Sequence, residues 1–235
     1  MAGEKKKNVV ITGVSEVDDK LGGGIPFGSL CLVEGDSDAE KSVLCQHLTY
    51  GTLGSCQTKV AYYTTENSVR SLITQMDSLN LPTLDYFLCD HLRIYPLTFG
   101  KGNYPEIFQL LTSHLSRLPD DFKLIIFDSI TLLLSHSKPM FIIDFFADCK
   151  SLCEKGLCII VVGHSYAFEE DVLSRTRSVC DARFKLRLEA VGDRMIKLME
   201  VLKVRGADQP TGDVVSFDVE PKIGMRVIPL SKARV

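Results

Sequence analysis

The stretch from Leu32 to Ser42 reads LVEGDSDAEKS, and it decides the fold. A short apolar run enters a polar turn at Gly35, and the turn delivers Lys41 and Ser42 to the start of a helical pattern. A strand, a glycine turn and a helix in this order make a P-loop, in which backbone N–H groups and the helix N-terminus surround a polyphosphate. The stretch therefore predicts a phosphate-binding α/β domain. The expected ligand contacts are Gly35, Asp36, Ser37, Asp38, Ala39, Glu40, Lys41, Ser42 and Val43.

The loop departs from the P-loop consensus at one position. The pattern G-x-x-x-x-G-K-[ST] has a second glycine before the lysine, where this chain has Glu40. Glutamate adds a Cβ and a negative charge, which opposes phosphate binding if the carboxylate faces the loop. If the carboxylate turns toward solvent, toward the lysines at 5–7 or toward another cation, the ring of N–H groups survives. We expect nucleotide binding to persist but to be weakened.

The composition is that of an ordinary globular protein. A length of 235 residues fits one domain, residues 1–235, and 45% of the residues are apolar. A net charge of −3 argues against a generally basic nucleic-acid surface. No apolar run approaches the roughly 20 residues that span a bilayer, and the N-terminal MAGEKKK lacks the apolar segment of a secretory signal. We therefore expect a cytoplasmic protein whose N-terminal lysines are solvated, or weakly contact an acidic partner or a membrane surface.

The eight cysteines indicate the same compartment. No C-x-x-C pair and no Cys/His cluster with zinc spacing occurs. Free cysteine packs as a small hydrophobe, so we expect reduced thiols in the core. The cysteines that lie in apolar runs are Cys31, Cys45, Cys149, Cys153 and Cys158.

Strand patterns alternate with helical patterns up to Gly163. The continuous apolar runs LIIFDS (residues 124–129) and LCIIVV (157–162) are typical of parallel strands that are buried on both faces. Beyond Cys180 we expect antiparallel strands at 182–188, 195–204 and 214–219, with turns at Gly192-Asp193 and at 211–213. The predicted fold class is α/β: a mostly parallel sheet flanked by helices, with C-terminal antiparallel hairpins.

An acid, Asp128, ends the run LIIFDS. We expect this strand to lie beside the P-loop strand. There Asp128 would hold the Mg²⁺ shell together with the hydroxyl of Ser42, while Lys41 reaches the β- and γ-phosphates. The alternative is structural, with Asp128 capping the turn before Ser129 and Ile130.

Two further polar side chains follow strands at the carboxyl edge of the sheet, where ligands bind in open α/β folds. Glu66 closes KVAYYTT, and a carboxylate there can orient or deprotonate the water that attacks a γ-phosphate. The alternative for Glu66 is a favourable interaction with a helix dipole. His164 ends LCIIVVG, where it is either a γ-phosphate contact that senses the nucleotide or a satisfied histidine at a strand end.

Lys203 and Arg205 lie in LKVRG, at the end of a predicted hairpin strand. Side chains two apart on a strand point the same way. In a ring these two cations could reach a neighbour's γ-phosphate and assist catalysis in trans. The alternative is a solvated edge strand that its charges protect from aggregation.

These segments together resemble KaiC-like ATPases of the RecA superfamily. The resemblance covers nearly the whole chain and rests on GVSEVDDKLGGGIPFGSLCLVEG, the P-loop, YYTTEN, LIIFDS and LKVRG. The element L-G-G-G-I-P-x-G-S is far more specific than the P-loop that follows it. Within the family, the single-domain length and the ending SFDVEPKIGMRVIPLSKARV resemble the nucleotide-binding accessory proteins of the archaellum, the archaeal motility filament.

The resemblance implies a RecA-type core that binds ATP and Mg²⁺ and assembles into a homo-oligomeric ring, which we expect to be a hexamer. It also implies a place at the cytoplasmic face of the membrane-embedded motor, next to the motor ATPase FlaI and other archaellum components. In this group nucleotide binding matters for that association, and hydrolysis is weak or absent.

Motif positions carry the family's roles onto this chain. Lys41 and Ser42 take the Walker A roles, and Asp128 takes the Walker B role. Lys203 and Arg205 match the trans-acting hairpin cations of KaiC.

The acid pair of the KaiC pattern is incomplete. Glu66 takes the first acid position, but the second position holds Asn67. Together with Glu40, the missing carboxylate predicts inefficient hydrolysis.

Two other functions stay open. One is an active ring ATPase that acts on another protein or on DNA. Residues 135–138 and 165–170, which follow core strands, are short and partly acidic, and this disfavours DNA. The other is a structural scaffold with an inactive pocket. Glu40 favours this scaffold, and the retained P-loop lysine and acids oppose it.

Overall fold

A computed structural model describes residues 9–56, 58–99, 104–191 and 194–228. The lysines at 5–7 and the predicted turn at Gly192-Asp193 lie outside the described residues. Within the described residues, no helix is long and apolar enough to cross a bilayer.

Helices and strands alternate along most of the chain. The helices are α1 (Ser15–Lys20), α2 (Lys41–Ser55), α3 (Val69–Ser78), α4 (Leu84–Leu88), α5 (Tyr104–Leu115), α6 (Thr131–Ser135), α7 (Pro139–Cys153) and α8 (Glu170–Val179), with a 3-10 turn at Ser165–Ala167. The strands are β1 (Val9–Val10), β2 (Ile25–Pro26), β3 (Leu30–Gly35), β4 (Lys59–Thr64), β5 (Leu92–Pro96), β6 (Phe122–Asp128), β7 (Cys158–His164), β8 (Ala182–Val191), β9 (Arg194–Val204), β10 (Val214–Glu220) and β11 (Gly224–Val227).

In the described part of the chain, nine strands form one sheet in the order β11-β10-β9-β8-β3-β7-β6-β4-β5. The strands from β8 to β5 in this order run parallel to one another. Strands β8, β9, β10 and β11 pair antiparallel, and β1 and β2 form a separate short ribbon. This arrangement confirms the predicted class, a parallel core finished by antiparallel C-terminal strands.

Both faces of the parallel sheet are buried, as its continuous apolar strands predict. Side chains of β6 alternate between two apolar clusters: Ile126 packs in one, and Ile125 and Phe127 pack in the other. Leu44 of α2 belongs to the first cluster and Phe145 of α7 to the second, so helices cover the sheet on both sides.

The cysteines are free thiols, and all eight lie in the described residues. The five predicted to be core residues are buried, as is Cys180, whereas Cys89 is exposed. Desolvation raises the pKa of Cys153 to about 12, so this group stays a neutral thiol at physiological pH.

The expected place of the Asp128 strand was wrong. Strand β3 pairs with β7 on one side and β8 on the other, so β7 separates β3 from the Asp128 strand, β6. LIIFDS and LCIIVV are equally apolar, and their patterns therefore do not say which of them adjoins β3. The carboxyl ends of β3, β7, β6 and β4 nevertheless meet at one edge of the sheet, through the pairings of Gly35 with His164 and of Thr64 with Asp128.

The turn predicted at residues 211–213 is not a tight hairpin. Val214, the first residue of β10, pairs with Glu200, so the end of β9 up to Val204 pairs only with β8. The connection from β9 to β10 therefore spans residues 205–213. Strand β11 extends the antiparallel part by one strand beyond those predicted.

Candidate functional site

The loop between β3 and α2 begins at a glycine that the fold requires. A Cβ placed on Gly35 would lie 1.9 Å from the carbonyl oxygen of Leu186 in β8. The next residue, Asp36, donates its backbone N–H to the same oxygen at 3.1 Å. Any larger residue at Gly35 would push β8 away from the start of the loop.

Glu40 adopts the backbone conformation that a glycine adopts without strain. Its φ of 63° and ψ of 34° lie in the left-handed region, directly before α2 begins at Lys41. This conformation costs a residue with a Cβ about 1–2 kcal/mol. At this position the loop therefore has a backbone conformation that the consensus glycine also allows.

The carboxylate of Glu40 turns toward another cation, which is one of the outcomes that preserve the loop. Its Oε1 lies 3.6 Å from Nζ of Lys197 in β9, and the same Nζ donates to Oδ1 of Asp218 in β10 at 3.1 Å. Sequence analysis did not identify Lys197, because nothing in a strand pattern marks which loop a lysine will face.

Lys41 is buried at the start of α2 and donates its ammonium to the carbonyl oxygen of Asp36. Desolvation lowers its pKa, and the nearby carboxylates of Asp128 and Asp36 oppose that effect in part. The ammonium thus lies inside the loop, where a phosphate group could replace the carbonyl oxygen as its partner.

Ser42 and Asp128 lie together although they are far apart in the chain. The hydroxyl of Ser42 donates to Oδ1 of Asp128 at 2.9 Å, and the hydroxyl of Tyr62 donates to Oδ2 at 2.5 Å. Burial raises the pKa of Asp128 to about 6, and the two hydrogen bonds partly offset this rise. Tyr62 was missed in the strand KVAYYT, although a buried tyrosine hydroxyl usually has a polar partner.

Ser42 and Asp128 offer oxygen atoms of the kind that Mg²⁺ prefers. Among the described residues, no group of three or more His, Cys, Asp or Glu side chains is arranged to hold a metal ion. This donor set fits a Mg²⁺ ion that also takes phosphate and water ligands, and it does not make a complete protein cage.

Glu66 and Asn67 both follow β4, but their side chains lie in different surroundings. Glu66 is exposed and lines the same cavity as Lys41. The side-chain oxygen of Asn67 accepts hydrogen bonds from Ser71 at 2.9 Å and from Gln75 at 2.8 Å, both in α3. The second acid position of the KaiC pattern is therefore occupied by an amide that stabilises a helix start.

His164 both lines the cavity and has protein partners. Its Nδ1 lies 2.9 Å from the hydroxyl of Thr131, which also accepts the backbone N–H of His164 at 3.2 Å. Desolvation and the charge of Lys41 lower its pKa, so the imidazole is neutral at physiological pH. The ring stacks on Tyr166, which is 72% exposed, with the centroids 5.2 Å apart.

The site is a cavity of about 360 Å³ at the carboxyl edge of the sheet, within the size range of small-molecule sites. Predicted residues that line it are Ser37, Asp38, Glu40, Lys41, Ser42, Glu66, Asp128 and His164. Residues that sequence analysis missed at its wall are Ser129, Val162 and Tyr166. The predicted loop contacts that do not line it are Gly35, Asp36, Ala39 and Val43.

Lys203 and Arg205 lie at the opposite edge of the sheet. Lys203 pairs with Arg183, the second residue of the parallel strand β8, and therefore lies near the amino end of that strand. Its ammonium donates to the carbonyl of Cys180 at 2.5 Å, and Arg205 lies 3.4 Å from the carboxylate of Asp181. Within one chain these cations do not reach the cavity, and their role in trans stays a prediction.

Comparisons with a family model and with known proteins agree on the family to which this chain belongs. The model of the family "ATPase: KaiC" matches residues 10–232. FlaH of Sulfolobus acidocaldarius, named an archaeal flagellar ATP-binding protein, is 31% identical over 231 residues that cover 96% of this chain and 99% of the relative. FlaH of Methanocaldococcus jannaschii, which has the same name, is 30% identical over 90% of this chain and 91% of the relative.

Solved structures agree with the sequence relatives. The crystal structure of the flagellar accessory protein FlaH from M. jannaschii has a TM-score of 0.79 at 28% identity, and the match covers 94% of this chain and 99% of that one. A KaiC-like protein from Pyrococcus horikoshii has a TM-score of 0.75 with the same coverages, and at 15% identity it shows a shared fold.

Proposed function

Because this chain belongs to the KaiC family of ATPases and, within it, to the FlaH proteins of archaeal flagella, we propose that it is an ATP-binding accessory subunit of the archaellum motor. One observation carries the proposal: Lys41, Ser42 and Asp128 converge on one cavity at the end of the β3–α2 loop. Buried charged groups at this edge of an α/β sheet are costly without a ligand or partner to match them.

Each residue has a distinct part in binding. Lys41 would exchange the carbonyl of Asp36 for the β- and γ-phosphates. Ser42 and Asp128 would hold Mg²⁺, which neutralises phosphate charge when it is bound. Because the pKa of Asp128 is about 6, its carboxylate is mostly ionised at neutral pH and available to a cation.

Hydrolysis by this subunit is weak or absent. Glu66 is placed to orient a water, but the second acid position holds Asn67, whose amide is engaged with α3. No cation of LKVRG lies near the chain's own cavity, so a complete site would need a neighbouring subunit. Binding that controls association, with little turnover, is the function that best matches these features.

The subunit acts as part of a homo-oligomeric ring, a hexamer, at the cytoplasmic face of the motor. There it binds the motor ATPase FlaI and other archaellum components, and it takes part in motility. Two things support the proposal: the chain belongs with the FlaH proteins, and Arg205 lies at the edge of the sheet away from the cavity. The side chain of Arg205 is 57% exposed there. A ring would bring that edge toward a neighbour's cavity.

The proposal is tested by calorimetric titration of ATP with Mg²⁺ into the purified protein. We expect saturable binding of one ATP per chain. Lys41→Ala should weaken binding at least about tenfold, because it removes the buried cation from the loop. Lys155→Ala, a change of an exposed lysine outside the cavity, should leave the affinity unchanged.

Association with FlaI is then measured by co-sedimentation with and without ATP. ATP should increase association for the wild type and for Lys155→Ala, and it should have no effect on Lys41→Ala. Absence of ATP binding, or equal affinity of the wild type and Lys41→Ala, would contradict the proposal.

A further inference from the structure

The cavity carries an unfavourable charge balance for a polyphosphate ligand. Among the described residues that line it, one carries an ammonium group, Lys41, and four carry carboxylates. Two of these acids, Asp128 and Glu66, have expected roles with metal and water, but Glu40 has no such role. Its carboxylate stands where the consensus has a glycine, and repulsion of phosphate in a partly buried site is screened poorly. The four acids are Asp38, Glu40, Glu66 and Asp128.

Lys197 is placed to change that balance. It lies within β9, where it pairs with Leu188 of β8 on one side and Phe217 of β10 on the other. Two neighbouring strands therefore fix its backbone. Its side chain is 19% exposed, and its ammonium lies 3.6 Å from the carboxylate of Glu40, whose side chain is 33% exposed.

Asp218 holds the Lys197 ammonium from the other side. Its Oδ1 accepts a hydrogen bond from Lys197 at 3.1 Å and one from its neighbour's backbone, Val219 N–H, at 2.8 Å. The ammonium is thus kept between an acid on the hairpin and the acid of the loop. Because Asp218 already restricts the Lys197 side chain, the attraction of Glu40 toward β9 costs Lys197 little further conformational entropy.

We propose that Lys197 is a positioning residue for nucleotide binding: it draws the Glu40 carboxylate toward β9 and so allows a loop without its second glycine to accept phosphate. This inference rests on the proposed ATP-binding function and deepens it. Lys197 contacts no phosphate in this role. It acts through Glu40, and its importance depends on the presence of that carboxylate.

A competing explanation is that the Lys197–Glu40 ion pair only fixes the loop to β9. In that case the pair contributes to stability, and its loss weakens ATP binding, also in variants in which a neutral side chain replaces Glu40. The electrostatic role predicts a different result, because removing the carboxylate also removes the need for the cation.

The test is a double-mutant cycle on the affinity for ATP with Mg²⁺. The variants are Lys197→Met, Glu40→Gly and Glu40→Gln, each Glu40 variant combined with Lys197→Met, and Lys197→Arg. Lys20→Met is the matched control. Lys20 does not line the cavity, and its Nζ lies 2.8 Å from Oδ2 of Asp213. This substitution also removes an ion pair and changes the net charge by the same amount. Thermal unfolding of every variant reports the folded fraction.

We expect Lys197→Met to weaken ATP binding by roughly 5- to 20-fold, and by less than about twofold when Glu40 is already Gly or Gln. Lys197→Arg should restore most of the affinity, because it keeps the cation, and Lys20→Met should bind like the wild type. Glu40→Gly and Glu40→Gln should bind ATP at least as well as the wild type, because the carboxylate that needed the cation is gone. An unchanged affinity of Lys197→Met, an equal loss in the Glu and neutral backgrounds, or Glu40 variants that bind as weakly as Lys197→Met would overturn the inference.

Failure of the proposed function gives a separate result. If Glu40→Gly binds ATP and the wild type does not, the cavity is a nucleotide site and Lys197 fails to compensate for Glu40. If neither binds ATP, the proposed function and the inference both fail.

Discussion

At the residue scale, the pKa of Asp128 determines the pH range in which this proposed Mg²⁺ ligand is negatively charged. Desolvation raises the pKa of this buried carboxyl to about 6, and hydrogen bonds from Tyr62 and Ser42 act in the opposite direction. Mg²⁺ binds the ionised form, so affinity for ATP with Mg²⁺ should decline as the pH falls through about 6. Tyr62 therefore helps to keep the carboxylate ionised at neutral pH.

Tyr62→Phe should move the pH midpoint of Mg²⁺-dependent ATP binding upward, since it removes a donor that favours the carboxylate. At neutral pH we expect a roughly 3- to 10-fold loss of affinity. The measurement is ATP affinity from about pH 5 to about pH 8, with and without Mg²⁺. Tyr63→Phe is the control, because the Tyr63 hydroxyl contacts His114 and packs in the other apolar cluster. A common midpoint for both variants would argue against the role of Tyr62.

Gly35→Ala should destabilise the protein by at least about 3 kcal/mol, because the new methyl group would overlap the carbonyl of Leu186 at 1.9 Å. Gly54→Ala is the matched control: it lies within α2, and its Cβ would meet no atom within 4 Å. That change should stabilise the protein by about 0.5–1 kcal/mol. Urea denaturation measures both free energies of unfolding. Equal stability of Gly35→Ala and the wild type would show that β8 moves aside without cost.

Local patterns identified Asp128 and His164, because each polar side chain ends an apolar run, and Lys41, because it ends a polar turn before a helix. Tyr62 and Lys197 could not be assigned in this way. Tyr62 meets Asp128 on the neighbouring strand, and Lys197 of β9 meets a residue of the loop before α2, so strand order and register decide which side chains meet. The direction of the Glu40 carboxylate depended on that register too.

At the scale of elements, strand order was the least accessible feature. Hydrophobic runs indicate burial on both faces, and β3, β6 and β7 satisfy that condition equally well. Their order depends on how the connecting helices pack. The short β11 was also unpredictable from its own residues, because its position depends on contacts with α2.

His47 makes that contact. Its Nε2 accepts the backbone N–H of Met225 in β11 at 2.9 Å. Burial lowers the pKa of His47 below its ordinary value of 6.5. The unfolded chain therefore binds the proton more readily. The stability contributed by neutral His47 is complete above about pH 6.5, and it is lost as the pH falls through the folded pKa.

His47→Gln should be less stable than the wild type by roughly 1–2 kcal/mol at neutral pH, with a smaller difference at about pH 5. Comparison with the wild type is needed because the raised pKa of Asp128 acts in the opposite direction. Urea denaturation at the two pH values provides the measurement, and His91→Gln, at an exposed position, is the control. A stability difference that does not change with pH would contradict a neutral buried His47.

At the scale of the whole molecule, the cavity and the cations predicted to act in trans lie at opposite edges of the sheet. The cavity lies at the carboxyl edge, and Arg205 lies at the other, 57% exposed in its side chain beside Asp181. An isolated chain therefore cannot bring Arg205 to its own nucleotide. If Arg205 acts on nucleotide at all, it acts on the site of a neighbour in a ring.

Mixed rings test this arrangement. We expect Arg205→Ala rings to bind fluorescent ATP and release it faster than the wild type, because the neighbour's cation is missing, and Lys41→Ala rings to bind little. In an equal mixture, every bound nucleotide lies on an Arg205→Ala subunit, and about half of these subunits have a Lys41→Ala neighbour that supplies the arginine. About half of the bound nucleotide should then dissociate at the wild-type rate. A single fast phase in the mixture, or wild-type release from pure Arg205→Ala rings, would show that Arg205 serves only its own chain through Asp181.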